Sequence, residues 1–139
     1  IQCFVVCAAN EKLRKSLAIQ RFGFPVQVFG FVHFMADLME ASDLILAKSG
    51  GSTTTEALIK GIPMVVIDPI PGQETRNAKV LKQRSAAFFI EKPQQIYLIL
   101  KLIFEQPEIL KSKCLEIQQL AKPNAAEDLV TFVLDFVKG

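Results

Sequence analysis

The residues best suited to chemistry form a glycine-rich segment, residues 48–56 (KSGGSTTTE), which follows a short apolar run and opens a helical pattern. Glycine lets the backbone approach a ligand closely, and the N–H groups of a first helical turn have no partners inside the helix. The helix dipole also favours negative charge at this end. The segment therefore predicts a phosphate site built by Gly50, Gly51, Ser52 and Thr53.

Glu56 allows two interpretations. Thr53 and Glu56 have the spacing of a capping box, in which the glutamate bonds back to the threonine N–H. Alternatively, a carboxylate one turn into the helix can accept hydrogen bonds from a ribose diol while a diphosphate rests on the glycine turn. The spacing alone favours the cap, and both interpretations stay open at this point.

A second polar cluster, residues 69–77 (PIPGQETRN), follows the next apolar run. Gln73 and Glu74 offer donors and acceptors that suit sugar hydroxyls. The alternative is a turn stiffened by proline, with Glu74 simply favouring a helix N-terminus. Because both clusters follow strands of one predicted parallel sheet, we expect them to face the same crevice.

Other catalytic and metal-binding chemistries have little support. His33 is the single histidine, and no nucleophile or second acid stands at a recognisable spacing from it. One histidine without a close cysteine pair cannot supply the four ligands of a zinc site. Lys48 precedes the glycines, but the order of residues is not that of a P-loop. We therefore expect no catalytic residue, no metal and no cofactor in this chain.

The composition is that of a packed globule. The chain has 139 residues, of which 50% are hydrophobic and 22% charged, and we expect a single domain. A net charge of +2 without a basic stripe argues against a nucleic-acid partner. No apolar run reaches the ~18 residues that a membrane span needs.

The three cysteines are predicted to be reduced. Cys3 and Cys7 lie on one predicted strand, which separates them by roughly 13 Å, whereas a disulfide tolerates a Cα separation of at most about 7 Å. Cys114 lies in a distant helical pattern and leaves an odd count. The simplest interpretation is a cytosolic protein with free thiols.

Apolar strand patterns alternate with helical patterns along the first two thirds of the chain. The predicted strands are residues 1–8, 26–32, 43–47, 63–68 and 86–90, and the predicted helices are residues 10–20, 34–41, 53–60, 74–84, 93–105, 107–120 and 124–137. Near-continuous apolar strands that alternate with helices indicate a doubly wound parallel sheet. The fold class is therefore α/β and Rossmann-like, ending in helices, the last of which has a wide apolar face.

Several of these segments together resemble the C-terminal, donor-binding half of family 28 glycosyltransferases. They are GFV at residues 30–32, SGGSTTTEA at 49–57, GIP at 61–63 and PGQE at 71–74 with Asn77. The likeness is greatest to the monogalactosyldiacylglycerol synthases and the processive diacylglycerol glucosyltransferases. It spans about residues 1–90.

The resemblance implies a two-domain GT-B fold, of which this chain would be the half that holds the UDP-sugar. By position, the implied contacts fall into four groups: Phe31 and Val32 to the uracil, largely through the backbone; Gly50, Gly51, Ser52 and Thr53 to the diphosphate; Glu56 to the ribose; and Gln73, Glu74 and Asn77 to the hexose. The catalytic base would belong to an N-terminal domain outside these residues. Relatives usually have glycine where this chain has Ala8.

The expected function is the donor half of an inverting hexosyltransferase. UDP-glucose or UDP-galactose would be the donor substrate, and a lipid such as diacylglycerol would be the acceptor, bound through the N-terminal domain. The full-length protein would be cytoplasmic and peripheral at the inner membrane. Because Ile1 begins inside a predicted strand, we expect the chain to be part of a longer protein.

Two rival functions remain open. One is a UDP-sugar 2-epimerase, which shares the two-domain plan, although the PGQE sequence argues against it. The other is a stand-alone donor-binding subunit that docks on a membrane partner.

Overall fold

A computed structural model describes residues 1–67 and 73–138 of the chain. The chain divides into two compact units, Ile1–Ala41 and Ser42–Gly139. The first contains one pair of strands with their helices, and the second contains three strands and most of the helices. Each unit carries part of the predicted site.

The first unit is a small parallel β–α–β–α arrangement. It consists of β1 (Cys3–Val6), α1 (Glu11–Ala18), β2 (Val26–Phe29) and α2 (Met35–Glu40). The strands are parallel, with Cys3 opposite Val26 and Val6 opposite Phe29. Helix α1 begins where predicted, because the side chain of Asn10 accepts a hydrogen bond of 3.0 Å from the N–H of Leu13.

The second unit contains a parallel sheet of three strands. Its elements are β3 (Ile45–Ala47), α3 (Gly51–Lys60), β4 (Met64–Ile67), α4 (Gln73–Gln83) and β5 (Ala87–Ile90), with the strands in the order β3-β4-β5. The central strand β4 is the most deeply buried, as its run of apolar residues predicts. Helix α3 ends at Gly61, whose φ of 71° lies in the left-handed region that glycine adopts without strain.

The chain continues with helices alone. A 3-10 turn (Pro93–Gln95) leads into α5 (Ile96–Glu105), followed by α6 (Glu108–Leu120) and α7 (Ala125–Lys138). Apolar side chains of α5 and of the start of α6 pack on a buried cluster of Val65, Phe88 and Ile90; they are Ile96, Ile99, Ile103, Ile109 and Leu110. The apolar side chains of α7, in contrast, are exposed.

The structure confirms an α/β fold with parallel strands and helices at the C-terminal end. Every predicted strand and helix is present in the described ranges, although the helix predicted at residues 53–60 begins two residues earlier, at Gly51. In the parts of the chain that are described, no helix is both long enough and apolar enough to cross a bilayer. The three cysteines are free thiols. The expectation of a single domain stays a prediction.

Candidate functional site

The glycine turn lies directly between β3 and α3. Ser49 is completely buried, and Gly50 is the N-cap of α3 with an extended backbone, φ −62° and ψ 146°. The first backbone hydrogen bond of the helix runs from the N–H of Thr54 to the carbonyl of Gly50. Within the described residues, no acceptor therefore contacts the N–H groups of Gly51, Ser52 and Thr53, which are the groups that an anion would meet.

The structure contradicts the capping-box interpretation of Glu56. That motif needs Thr53 at the N-cap, but α3 begins at Gly51, so Thr53 is the third residue of the helix and the N-cap has no side-chain hydrogen bond. The helix begins earlier than the capping box requires because Gly50, with its extended backbone, takes the N-cap position. Glu56 is exposed, and among the described residues its carboxylate has no hydrogen bond or ion pair.

Helix α4 contacts the glycine turn through Asn77. The side-chain nitrogen Nδ2 of Asn77 donates a hydrogen bond of 2.8 Å to the carbonyl oxygen of Ser49. Ala78 and Leu81 are buried on the inner side of the same helix. The structure thus places one member of the second predicted cluster against the first. Gln73 and Glu74 begin α4, but their side chains, like residues 68–72, lie outside the part of the chain that is described.

A hollow of about 280 Å³ is lined by residues of both α3 and α4. It is lined by Gly51, Thr54, Thr55, Leu58, Asn77, Val80 and Leu81. Two of the predicted contact residues, Gly51 and Asn77, therefore border the same space. Gly51 contributes backbone to this hollow, and the two helices contribute both polar side chains (Thr54, Thr55, Asn77) and apolar ones (Leu58, Val80, Leu81).

Thr54 is a feature that the sequence analysis missed. Its side chain is 7% exposed, and among the described residues its hydroxyl Oγ1 has no hydrogen-bond partner. A buried hydroxyl without a partner is uncommon and costs stability. The available signal was the helical period, because residues 54, 57 and 58 lie on one face and Ala57 is fully buried.

In the first unit, Phe31 and Val32 follow the end of β2. Phe31 is 70% exposed, and its ring contacts that of His33 edge to face, with 5.0 Å between the ring centroids. His33 is also exposed, and no further described contact involves it, so a catalytic role gains no support. Val32 is half-buried. The predicted uracil contacts are thus accessible within their own unit.

Gly30 allows this loop to pass close to α1. A Cβ atom at Gly30 would lie 3.3 Å from side-chain atoms of both Arg14 and Glu11. Those two side chains form a pair in which Arg14 donates three hydrogen bonds of 2.9–3.0 Å to the carboxylate. The hydrogen bonds from Arg14 lower the pKa of Glu11. Glycine thus leaves room for the pair.

Ala8 has a positive φ, which glycine adopts without strain. Its φ of 49° lies in the left-handed region, where a side chain is strained. The strand β1 ends two residues before it, so the turn into α1 needs this conformation. Alanine adopts this conformation at a cost in backbone strain.

These features define the class of protein. It is an α/β protein with parallel strands, and its candidate site lies where strands end and helices begin, which is the usual ligand position in open α/β sheets. The N–H groups at the start of α3, which no acceptor among the described residues contacts, suit an anionic ligand.

The profile of the family described as "Glycosyltransferase family 28 C-terminal domain" matches residues 2–130. The chain belongs to this family and is a glycosyltransferase domain. The predicted resemblance to family 28 is thereby confirmed.

Individual relatives agree with this family. The chain is 34% identical over 130 residues to the probable monogalactosyldiacylglycerol synthase 2, chloroplastic, of Oryza sativa subsp. indica, covering 93% of this chain and 28% of that protein. It is 29% identical over 136 residues to the processive diacylglycerol beta-glucosyltransferase of Bacillus subtilis, covering 96% and 36%. The chain thus spans about a third or less of the length of these relatives.

A solved structure supports the fold. The MurG protein of Acinetobacter baumannii superposes with a TM-score of 0.78 at 25% identity, covering 95% of this chain and 40% of MurG. A glycotransferase of kitacinnamycin is similar at a TM-score of 0.59 and 18% identity, covering 94% and 43%, which bears on the fold alone. The chain therefore has the fold of one part of a GT-B glycosyltransferase, as the resemblance implied.

Proposed function

We propose that this chain binds a UDP-hexose, UDP-glucose or UDP-galactose, as the donor half of an inverting hexosyltransferase that acts on a lipid acceptor such as diacylglycerol. The observation that carries the proposal is the hydrogen bond from Asn77 to the Ser49 carbonyl, which joins the two segments predicted to contact the donor. The names of the relatives, which include diacylglycerol glycosyltransferases, support the same acceptor class.

The diphosphate would lie at the N-terminus of α3. The N–H groups of Gly51, Ser52 and Thr53 are available there, and the hydroxyls of Ser52 and Thr53 add further donors. Together with the helix dipole they stabilise negative charge. The same groups would stabilise the UDP that leaves during transfer, and this preorganised role requires no metal ion.

The ribose would lie along the exposed side of α3. Ser52 and Glu56 are four residues apart, so they lie on one face of the helix, and both are exposed. One helical turn rises about 5.4 Å, so Glu56 lies about that distance along the helix axis from Ser52. The exposed carboxylate of Glu56 can accept a hydrogen bond from each of the two hydroxyls.

The hexose would lie beside the N-terminal half of α4. Asn77 uses one N–H on Ser49 and retains a second N–H and a carbonyl oxygen for sugar hydroxyls. Gln73 and Glu74, one helical turn earlier, are proposed to contact the same sugar. Phe31 and Val32 are proposed to bracket the uracil, largely through their backbone.

The reaction itself would need groups beyond this chain. An acceptor hydroxyl would attack the anomeric carbon while the bond from that carbon to the phosphate oxygen breaks, and the hydroxyl proton would pass to a base on the N-terminal domain. We propose that this domain also holds the lipid and that the full-length protein is cytoplasmic and peripheral at the inner membrane. This chain alone is expected to bind UDP weakly and to turn over little.

Calorimetric titration tests the proposal. The chain is titrated with UDP, UDP-glucose and UDP-galactose, and with ADP as the control nucleotide. We expect UDP and at least one of the two UDP-hexoses to bind and ADP not to bind. A folded chain that binds none of the uridine nucleotides would refute the proposed function.

A further inference from the structure

The contact between Asn77 and Ser49 is a fixed part of the second unit. It joins residues that are 28 positions apart in the sequence, over a donor–acceptor distance of 2.8 Å. Ser49 is completely buried and Asn77 is partly buried, so water competes little for the bond. Breaking this bond would cost free energy, because the buried carbonyl oxygen of Ser49 would lose a hydrogen-bond donor. The bond therefore keeps its geometry.

The same hydrogen bond controls the direction of a backbone N–H. The carbonyl of Ser49 and the N–H of Gly50 belong to one planar peptide unit, and this peptide is trans. In a trans peptide the two groups point in opposite directions, so the bond that fixes the carbonyl also points the Gly50 N–H away from Asn77. Asn77 therefore acts on the backbone that leads into α3.

The glycines themselves supply no such constraint. A peptide next to glycine rotates with little steric resistance, because glycine has no Cβ. The turn therefore needs a contact from elsewhere to keep one orientation, and Asn77 provides it from α4. The N–H groups of Gly51, Ser52 and Thr53 follow this peptide directly in the sequence, in the first turn of α3.

We propose that Asn77 is a positioning residue: it holds the peptide between Ser49 and Gly50 in the orientation that receives the diphosphate. The proposal rests on the proposed function and deepens it. It differs from a role as a hexose ligand in one measurable respect. UDP has no hexose, so a residue that contacts only the sugar leaves the affinity for UDP unchanged, whereas a residue that orients the phosphate site does not.

The test compares two variants of the chain with a matched control. Asn77→Leu keeps the approximate shape of the side chain and removes its donor, and Asn77→Ala removes the donor without adding apolar bulk. Lys79→Ala is the control, because Lys79 is exposed and lies two positions further along the same helix, on a different side. Circular dichroism melting shows whether each variant folds.

Each variant is titrated with UDP and with UDP-glucose. Loss of a single hydrogen bond predicts that UDP binds about three- to tenfold more weakly to both Asn77 variants, with no change for Lys79→Ala. As a second readout that needs no ligand, the amide signal of Gly50 in a ¹H–¹⁵N spectrum is expected to broaden or to shift in both Asn77 variants.

Four results would overturn the positioning role. If the Asn77 variants bound UDP normally and UDP-glucose weakly, Asn77 would be a direct sugar ligand instead. If they bound both normally, or if the Gly50 amide signal kept its position and width, the turn would not depend on Asn77. If the unmodified chain bound no UDP, the proposed function would fail first and the positioning role with it.

Discussion

The turn at Gly50 and the loop at Phe31 both follow the end of a parallel strand, and both are predicted to contact UDP, but their surroundings differ. The turn includes a completely buried serine that is hydrogen-bonded to another helix, and it leads into a helix of ten residues. The loop presents a phenylalanine that is 70% exposed, whose described ring contact is with the adjacent His33.

This difference indicates that the glycine turn is held in one orientation before a ligand binds, whereas the loop at Phe31 is less constrained. Phosphate groups carry charge, and groups that bind charge work best when they are already oriented, since no energy is then spent on ordering them. A uracil contact made through the backbone depends little on the identity of the side chain. We therefore expect side-chain substitutions near the turn to have larger effects than substitutions in the loop.

The largest effect on UDP binding is expected for Glu56→Ala, on the helix that follows the glycine turn. Loss of a carboxylate that binds two ribose hydroxyls should weaken UDP binding about ten- to a hundredfold, as expected for hydrogen bonds to a charged group. Because Glu56 is exposed and caps nothing, the melting temperature should stay nearly the same. Calorimetric titration measures the UDP affinity and thermal denaturation measures the melting temperature, with Glu56→Gln as the isosteric control. Unchanged UDP affinity would remove Glu56 from the site.

A smaller effect, on stability, is expected for Thr54→Val. Valine has nearly the same shape as threonine, and it removes a buried hydroxyl that has no partner among the described residues. The free energy of unfolding should rise by about 1–2 kcal/mol. Urea denaturation measures the change, with Thr55→Val at the exposed neighbouring position as the control, for which we expect less than about 0.5 kcal/mol. A loss of stability in Thr54→Val would show that the hydroxyl does bond within the protein.

The smallest effect is expected for the loop, in Phe31→Ala. If the uracil is held through backbone contacts, UDP binding should weaken by no more than about threefold, which corresponds to less than about 0.7 kcal/mol. His33→Ala removes the neighbouring ring and serves as the matched control. A tenfold or greater loss in Phe31→Ala would indicate that the exposed ring stacks on the base, because such stacking contributes about 1–3 kcal/mol. The contrast between turn and loop would then disappear.

Much of the fold could be predicted from the amino-acid sequence. Apolar runs such as residues 64–67 specify buried parallel strands, since no polar alternation marks an exposed face. Gly61 and Asn10 mark a helix end and a helix start through local backbone chemistry, and the structure has both. The family resemblance also rests on local motifs, and the family match confirms it.

The helix boundary at the turn could not be predicted in the same way. The spacing of Thr53 and Glu56 is that of a capping box, yet the helix begins at Gly51. Either glycine or threonine can act as an N-cap, and the choice depends on where the chain leaves the preceding strand. Local preferences alone do not decide between such alternatives.

The sequence by itself determined the order of strands and helices, the position of the glycine turn and the glycosyltransferase family, because these depend on local periodicity and on motifs of adjacent residues. The tertiary structure alone decided that Asn77 grips the carbonyl of Ser49, 28 residues away, and that the hydroxyl of Thr54 is buried without a described partner. Both outcomes depend on how α3 and α4 pack together. The direction of a carbonyl group cannot be predicted from the type of residue that carries it.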